Sequence, residues 1–359
     1  MYLTFDEQAF LTDCPATPLS HLENDGKYLM SEGPYQVTIY ITRECNLNCT
    51  HCYISAGSPL NDELNKDEWK LVINKLNDIG TNVLYILGGE PLLKHGIFDI
   101  ISYSTSLGLY TSLSSNGTVI TKGVSKKLKE SNINEIQISI DGPNEEINSL
   151  IRGKNSFKLA IEGVKNLINE NIPTSLSYVI TEKNKDYIED MIKIAEELNV
   201  KSINFSPVQQ FGRAKINNVL LKRESAIQVY NKLRLLNKKY KIKITTNGFR
   251  FFIDNLFDVY LSLKNKINNY YSCPAGRSRF IIDANGDIYG CELLINPLFK
   301  EGNALKDDLR EIWKKGFTRF RNKWYMEKEE CKSCSINSLC QGGCFARAFN
   351  SKKDINCPF

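Results

Sequence analysis

Several features of common protein classes are missing from this chain of 359 residues. No apolar run approaches the roughly 18 to 20 residues that span a bilayer. Residues 1–14 carry acids and no basic region before an apolar core, unlike a secretory signal. The net charge is only +5, with lysines and glutamates interspersed, which predicts solvated helix faces. We therefore expect a cytoplasmic globular protein that binds neither a membrane nor nucleic acid.

Cysteine, in contrast, is abundant. Ten of the eleven cysteines fall into two groups. In the reducing cytoplasm, clustered cysteines are more often metal ligands or catalysts than disulfides. The first group is a C-x3-C-x2-C loop made of Cys45, Cys49 and Cys52. The second group consists of Cys273, Cys291, Cys331, Cys334, Cys340, Cys344 and Cys357. Cys14 belongs to neither group, and we interpret it as an inert thiol.

The first cysteine group is one ligand short of a complete cubane cluster. Its three thiolates cannot fill the four iron corners, so one iron is predicted to be open to a group other than protein. An open iron favours a redox enzyme over a cysteine-stapled scaffold. A non-catalytic zinc-binding module is the non-enzyme alternative. Structural zinc normally takes four protein ligands, however, so a loop with three suits one face of a cubane cluster better.

Short apolar runs alternate with longer amphipathic segments between about residues 35 and 210. This pattern indicates a parallel sheet with helical crossovers, because parallel neighbours need long connections. The predicted strands are 36–42, 83–87, 110–113, 135–140, 174–180 and 202–205. The predicted helices are 66–79, 97–106, 124–130, 157–168, 187–198 and 226–236. A later β-hairpin is predicted at 279–283 and 287–289.

Polar and glycine-rich motifs follow the first four predicted strands, where parallel sheets place their functional loops. In chain order they are the first cysteine loop, Gly88-Gly89-Glu90-Pro91, Ser114-Ser115-Asn116-Gly117 and Ser139-Ile140-Asp141-Gly142-Pro143, with Arg152-Gly153 shortly after. A lone Gly-Gly-Glu-Pro would be a turn signal only, but its place in this series is specific.

This series resembles the signature of radical S-adenosylmethionine (radical SAM) enzymes. The resemblance implies an α/β fold in the form of a partial (β/α)6 barrel. This barrel is expected to bind a [4Fe–4S] cluster together with S-adenosylmethionine (SAM). The resemblance also implies reductive cleavage of SAM to a 5′-deoxyadenosyl radical, which abstracts hydrogen from the substrate.

The resemblance also implies a SAM contact for each motif. Gly88 and Gly89 let the backbone approach SAM closely, and Glu90 takes its ammonium group. Arg152 pairs with the SAM carboxylate, and Ser139 is placed for the ribose.

Three further SAM contacts are expected at the same end of the sheet. His51 occupies the aromatic position beside the adenine, and Ser114 and Asn116 belong to the loop after the third strand. The alternatives are a loop filler for His51, a left-handed turn residue for Asn116 and a helix cap for Asp141.

The second cysteine group resembles the seven-cysteine SPASM pattern, which typically carries two auxiliary iron–sulfur clusters. Both are expected to be [4Fe–4S]. The resemblance implies that the ligands of one complete cluster are Cys331, Cys334, Cys340 and Cys357. It implies that the ligands of the other are Cys273, Cys291 and Cys344. A zinc-ribbon-like fold is the alternative.

The three-cysteine auxiliary cluster has a second predicted vacancy. Anaerobic sulfatase-maturing enzymes resemble this chain broadly, but they supply a further cysteine where residues 274–279 have none. The vacancy suits a substrate thiolate or amide, as in thioether-forming relatives, or a ligand such as Glu292 or Asp283. Glu292 also matches an acid proposed as a proton acceptor in the sulfatase-maturing branch. Its alternative is an exposed charge at the end of the hairpin.

Four parts are expected along the chain: an N-terminal extension (1–35), the radical SAM barrel (36–240), a bridging region (241–272) and a cysteine-rich SPASM domain with the hairpin (273–359). Gln209, Gln210 and Arg213 follow the last predicted barrel strand and are expected to face the site without an assigned role.

The leading functional hypothesis is a thioether or other crosslink made in a ribosomally made peptide, because SPASM-bearing relatives mostly act on peptides or proteins. The extension looks too small for a leader-binding domain, which predicts a separate leader-binding protein. A flavodoxin- or ferredoxin-type protein is the expected electron donor. A small-molecule enzyme, such as one that tailors tetrapyrrole side chains, and a sulfatase-type formylglycine maturase are the alternatives.

Overall fold

The computed structural model describes residues 32–249, 273–322, 324–335, 337 and 342–357. The predictions for Cys14, for Cys340 and for most of the bridging region lie outside the described residues. No helix among the described residues is long and apolar enough to cross a membrane.

The described strands all belong to a single sheet. They are β1 (Gln36–Tyr40), β2 (Val83–Leu87), β3 (Tyr110–Ser115), β4 (Glu135–Ser139), β5 (Thr174–Ile180), β6 (Ser202–Pro207), β7 (Lys243–Thr246), β8 (Arg279–Ile282), β9 (Asp287–Tyr289) and β10 (Lys300–Asn303).

The described helices connect the strands and follow the sheet in the C-terminal part. They are α1 (Lys66–Asp78), α2 (Ile97–Ser106), α3 (Lys122–Glu130), α4 (Glu145–Arg152), α5 (Ser156–Asn169), α6 (Ile188–Glu197), α7 (Gly212–Ile216), α8 (Arg223–Lys239), α9 (Leu309–Lys315), α10 (Thr318–Arg321), α11 (Glu329–Lys332) and α12 (Phe345–Ala348).

Strands β1 to β7 lie in chain order, each parallel to the next. At the other edge of β1, strand β8 pairs in parallel and β9 and β10 follow antiparallel. The full order is therefore β10-β9-β8-β1-β2-β3-β4-β5-β6-β7. The predicted partial barrel and hairpin are confirmed, and the hairpin extends the barrel sheet. Strand β7 adds a seventh parallel strand within the predicted bridging region.

Side-chain alternation gives the barrel strands two different faces. In β2, β4 and β6, fully buried residues alternate with half-buried ones. The fully buried face packs against the helices and is purely apolar, for example at Leu84, Ile86, Ile136, Ile138 and Phe205. The half-buried face therefore lines the barrel interior, and we call it the inner face.

Local sequence explains where the helices begin. Asn65 caps α1 through a capping box with Glu68, and Thr121 caps α3. Asn144 caps α4, a helix that the sequence did not predict. Helices α4 and α7 are eight and five residues long, too short for a clear apolar period.

Candidate active site

The first cysteine group lies in the loop after β1, and its three thiols are close enough to influence one another's pKa. Cys49 is buried, whereas Cys45 and Cys52 are half-buried. Burial is the main reason that the pKa of Cys49 is raised to about 11, and the charges of Cys45 and Cys52 contribute to this rise. The Cys45 amide donates to the Gly57 carbonyl oxygen at 2.8 Å, which closes the base of the loop. Three converging thiols that no disulfide ties together suit the ligation of one cluster face.

Arg213 holds this loop from outside. Its Nε donates to the Cys49 carbonyl oxygen at 2.9 Å, and its guanidinium also donates to the Ala56 carbonyl oxygen at 2.5 Å. Its backbone N–H donates to the Cys52 carbonyl oxygen at 2.9 Å. Arg213 thus orients the cluster loop, a role that the sequence left unassigned. Its place directly after the last predicted strand was the only signal.

The two glycines that end β2 are needed because two backbones meet there. A Cβ at Gly88 would lie 2.6 Å from the Thr42 carbonyl oxygen, and one at Gly89 would lie 2.1 Å from that of Glu44. The Gly89 amide donates to Thr42 at 2.8 Å, and the Glu90 amide donates to Glu44 at 2.7 Å. The observed close approach is thus to the backbone just before the cysteine loop. The predicted approach to SAM stays a prediction.

Glu90 is fully buried beside the cysteine loop. Its carboxylate accepts hydrogen bonds from the Ser115 hydroxyl and the Asn116 amide, both at 2.8 Å, and from the Leu92 amide at 3.2 Å. Burial raises the pKa of Glu90 to about 7 despite these bonds. Its charge in turn raises the pKa of Cys45. A buried carboxylate this near the open side of the loop suits an ammonium group.

Asn116 connects the loop after β3 to the cysteine loop. Its Nδ2 donates to Asn46 Oδ1 at 2.8 Å, and its Oδ1 accepts from the Thr118 amide at 2.9 Å. The left-handed residue of this turn is Gly117, with φ of 77°. The interpretation of Asn116 as the left-handed turn residue is therefore wrong.

Asp141 is the charged centre of the loop after β4. One of its carboxylate oxygens lies 2.9 Å from His51 Nε2 and 2.6 Å from Arg152 Nε, and the other accepts from the Val179 amide at 2.7 Å. Burial opposes its ionisation, but the charges of Arg152 and His51 lower the pKa of Asp141 to about 2. The helix-cap interpretation is wrong, because Asn144 caps α4.

The predicted SAM contacts Arg152 and His51 meet at Asp141, whereas Ser114 and Ser139 lie near the ends of β3 and β4. Arg152 is buried, and its charge acts on Cys49. His51 is buried against Asp141, so it is more than a loop filler. The half-buried hydroxyls of Ser114 and Ser139 hydrogen-bond to no described residue. Their contacts with SAM stay predictions.

In the second cysteine group, the structure brings Cys273, Cys291 and Cys344 together. Burial raises the pKa of all three thiols, to about 11 for Cys344. The charges of Cys273 and Cys344 both raise the pKa of Cys291. Cys331 and Cys334 share a turn in which the Cys334 amide donates to the Cys331 carbonyl oxygen at 3.2 Å.

Glu292 lies beside this second set of thiols. Arg279 NH2 lies 2.8 Å and 3.0 Å from its two carboxylate oxygens. Burial opposes ionisation, but the Arg279 charge lowers the pKa of Glu292. The carboxylate is thus ionised and held, with 28 % of the side chain exposed. The alternative of an exposed charge at the hairpin end is wrong.

Two tyrosines lie between the cysteine groups. The hydroxyls of Tyr40 and Tyr53 are 2.7 Å apart. Burial raises the pKa of both, and the charge of Glu292 raises it further. The charge of Cys52 also acts on Tyr53. The tyrosine pair is therefore close enough to both Cys52 and Glu292 to sense their charges.

Asp283, the other candidate for the missing cluster ligand, is paired with Arg43. Its two carboxylate oxygens accept from Arg43 Nε at 2.7 Å and Arg43 NH2 at 2.8 Å. This bidentate pair joins the hairpin to the loop after β1. It disfavours Asp283 as the missing cluster ligand.

The donor chemistry of both sites fits iron–sulfur clusters, for which cysteine thiolate is the standard protein ligand. Within the described ranges, no three His, Cys, Asp or Glu residues lie close enough together to hold a single metal ion. A cubane cluster gives each thiolate its own iron, so its ligands surround the cluster.

Comparison with known families agrees with this arrangement. Residues 39–195 match the model of the radical SAM superfamily, and residues 273–335 match that of the SPASM iron–sulfur cluster-binding domain. The chain is a radical SAM enzyme with a SPASM domain, as the motifs predicted. The hypothesis of a non-catalytic zinc module is wrong.

Individual relatives cover nearly the whole chain. Mycofactocin maturase MftC of Mycolicibacterium smegmatis is 28% identical over 333 residues, which are 91% of this chain and 82% of that protein. The AdoMet-dependent heme synthase of Methanosarcina barkeri is 26% identical over 90% of this chain and 95% of its own length. The crystal structure of Streptococcus suis SuiB bound to precursor peptide SuiA has the same fold, with a TM-score of 0.77 and 20% identity over 92% of this chain and 77% of SuiB.

Proposed function

We propose that this radical SAM enzyme modifies a ribosomally made peptide by forming a thioether or another crosslink. The SAM cluster is held by Cys45, Cys49 and Cys52, and Glu90 and Arg152 take the ammonium and carboxylate groups of SAM. When bound, the cluster and SAM supply a 5′-deoxyadenosyl radical that abstracts hydrogen from the substrate.

Gly88, Gly89, Asn116, His51 and Ser139 complete the SAM site in this proposal. The glycines set the end of β2 against the cysteine loop, and Asn116 ties the next loop to it. His51 is oriented by Asp141 beside the adenine, and the half-buried hydroxyl of Ser139 is placed for the ribose. Ser114, on the adjacent strand, is the remaining contact.

The observation that carries the peptide assignment is a row of neutral polar side chains on the inner face. Ser177, Asn204 and Thr245 are paired across three neighbouring strands, next to the proposed ribose contact Ser139. All three are half-buried, and the Thr245 hydroxyl donates to Asn204 Oδ1 at 3.0 Å. Hydroxyl and amide groups in a row match the donors and acceptors that recur along a peptide backbone. Mycofactocin maturase and SuiB with its precursor peptide support the same substrate class.

Glu292 is the proposed proton acceptor. Its carboxylate is kept ionised by Arg279, so it can take a proton from the substrate. Glu292 directly follows Cys291, a ligand of the cluster at which an intermediate would be oxidised.

Two auxiliary [4Fe–4S] clusters complete the proposed cofactor set. Cys273, Cys291 and Cys344 hold one cluster with an open iron that suits a substrate thiolate or amide. The ligands of the second cluster are Cys331, Cys334, Cys340 and Cys357. We place the enzyme in the cytoplasm, with a flavodoxin- or ferredoxin-type electron donor and a separate leader-binding protein.

Co-expression with short peptides encoded beside the gene tests this function. The enzyme, incubated anaerobically with SAM and a reductant, should remove two hydrogens from the matching peptide, seen as a loss of about two mass units for one crosslink. Cys45→Ala is the matched control, because it removes one ligand of the SAM cluster. If no such peptide changes mass while SAM is cleaved, the peptide assignment is wrong and the enzyme assignment stands.

A tetrapyrrole substrate is the second candidate, favoured by one observation. The alignment with the heme synthase covers 95% of that protein, against 82% for the mycofactocin maturase. A porphyrin retained on the purified protein, seen by its absorbance, would favour this candidate over a peptide.

A further inference from the structure

A buried ion pair joins two residues within the last described segment, residues 342–357. Arg347 Nε lies 2.8 Å from Asp354 Oδ1, and Arg347 NH2 lies 2.9 Å from Asp354 Oδ2. The side chains are only 7% and 1% exposed. We call this bidentate pair the C-terminal clasp. Its burial makes each charge dependent on the other.

Asp354 contacts the backbone of two predicted cluster ligands, one through its carboxylate and the other through its main-chain carbonyl oxygen. The Cys344 amide donates to Asp354 Oδ2 at 2.8 Å, and the Cys357 amide donates to the Asp354 carbonyl oxygen at 2.8 Å. The Asn356 amide, next to Cys357, donates to Asp354 Oδ1 at 3.0 Å. One residue thus sets the backbone at both cysteines.

These two cysteines belong to different clusters in the proposed division. Cys344 converges with Cys273 and Cys291, whereas Cys357 is assigned to the complete cluster. A change in the clasp therefore reaches Cys344 by a direct hydrogen bond to the Asp354 carboxylate. It reaches Cys357 through the backbone of its neighbour Asn356, whose amide donates to the same carboxylate.

The clasp is also attached to the barrel. Arg347 NH1 donates to Gln209 Oε1 at 3.4 Å, just after β6. Arg223, at the start of α8, donates to the Asn356 carbonyl oxygen at 2.9 Å. These contacts explain how a short segment with little regular structure keeps its place beside the barrel.

We propose that Asp354 and Arg347 are positioning residues that couple the two auxiliary clusters, so that both are assembled and lost together. This inference rests on the two-cluster assignment of the proposed function. It goes beyond that assignment, because separate ligand sets alone would let each cluster form independently.

The test uses the full chain purified and reconstituted anaerobically. Iron and sulfide are counted per chain, and the SAM cluster is recognised by the change in its electron paramagnetic resonance spectrum when SAM is added. Three cubane clusters correspond to about twelve irons in the unaltered protein. Zinc, or clearly fewer than twelve irons, would refute the two-cluster assignment before any variant is made.

Asp354→Ala should lose about eight irons and keep the SAM-responsive signal. Arg347→Gln should do the same, because it leaves the buried carboxylate unpaired. The double variant Arg347→Gln with Asp354→Asn is neutral and keeps groups that can hydrogen-bond, so it should recover most of the iron. Asp190→Asn is the matched control, because Asp190 is an exposed acid paired with Lys193.

Three results would overturn the proposal. Loss of about four irons in Asp354→Ala would mean that only one cluster depends on the clasp. Iron content like that of the control would mean that neither does. Loss of the SAM-responsive signal together with the other irons would indicate a general folding defect instead of coupling.

Discussion

The ionisation of Glu90 should make SAM binding depend on pH near neutrality. Burial raises the pKa of this carboxyl from 4.5 to about 7. For a carboxyl shifted in this direction, folding stability is unaffected well below pH 4.5, falls as the pH rises, and is fully reduced above about 7. The difference between the two pKa values corresponds to about 3 kcal/mol of destabilisation by the ionised form.

An ammonium group paired with Glu90 would offset this destabilisation, so SAM should bind the ionised carboxylate. Below pH 7, Glu90 is mostly protonated and must lose its proton before SAM binds. The Kd for SAM should therefore rise about tenfold for each pH unit by which the pH falls below 7. At about pH 6 the Kd should therefore be about tenfold above its high-pH limit. The SAM amine contributes its own proton dependence, which a Glu90 variant retains.

The assay is SAM binding by anaerobic equilibrium dialysis between about pH 6 and pH 8.5, with Glu90→Gln as the control. The glutamine keeps one acceptor oxygen, but its amide nitrogen meets the Asn116 amide or the Ser115 hydroxyl. At high pH, Glu90→Gln should bind SAM more weakly than the unaltered protein does. Below about pH 7, its Kd should change about tenfold less per pH unit than that of the unaltered protein. Equal pH slopes in the two proteins would refute this role for Glu90.

Three further substitutions test other contacts of the site. Asp141→Asn leaves buried Arg152 without its charge partner, so the free energy of unfolding should fall by about 3–5 kcal/mol, seen as a lower melting temperature. Arg213→Ala removes two side-chain hydrogen bonds to carbonyl oxygens of the cysteine loop, so less iron should remain at the SAM cluster. Glu292→Gln should leave SAM cleavage intact and slow product formation by about 10²–10⁴-fold, measured as modified peptide per 5′-deoxyadenosine.

Exposed residues supply the controls for these substitutions. Asp99→Asn removes an exposed acid paired with Lys66, and its melting temperature should hardly change. Lys193→Ala controls for Arg213→Ala in the iron measurement. An unchanged melting temperature would contradict the role of Asp141, and unchanged iron would contradict that of Arg213. A parallel loss of SAM cleavage and product would mean that Glu292 acts on the fold.

Much of the barrel was predictable because its signals are local. Short apolar runs predict β2 and β4, and apolar residues at helical spacing predict α1, within a few positions of where the structure has them. Strand β7 was missed because a strand of four residues is too short to show an alternation of apolar and polar residues. The partner strand β6 and the buried side of the sheet decide its conformation.

The charged centre at Asp141 shows where sequence reasoning stopped. Its contacts come from the cysteine loop, α4 and β5, at His51, Arg152 and Val179. The motif after β4 was visible, but a helix cap was an equally good local explanation. Only the packing of three separate segments excludes solvent there and brings a histidine and an arginine to one carboxylate.

The sequence alone determined the chemistry of this protein. Cysteine spacing and the motifs after successive strands define a radical SAM enzyme with a SPASM domain, because ligand spacing is written within short segments. The tertiary structure decided how those segments cooperate. It placed the SPASM hairpin on the edge of β1, directed Asp283 to Arg43 and Glu292 to Arg279, and made Asp354 a link between Cys344 and Cys357. Such contacts depend on burial and distance between remote residues, which no local pattern encodes.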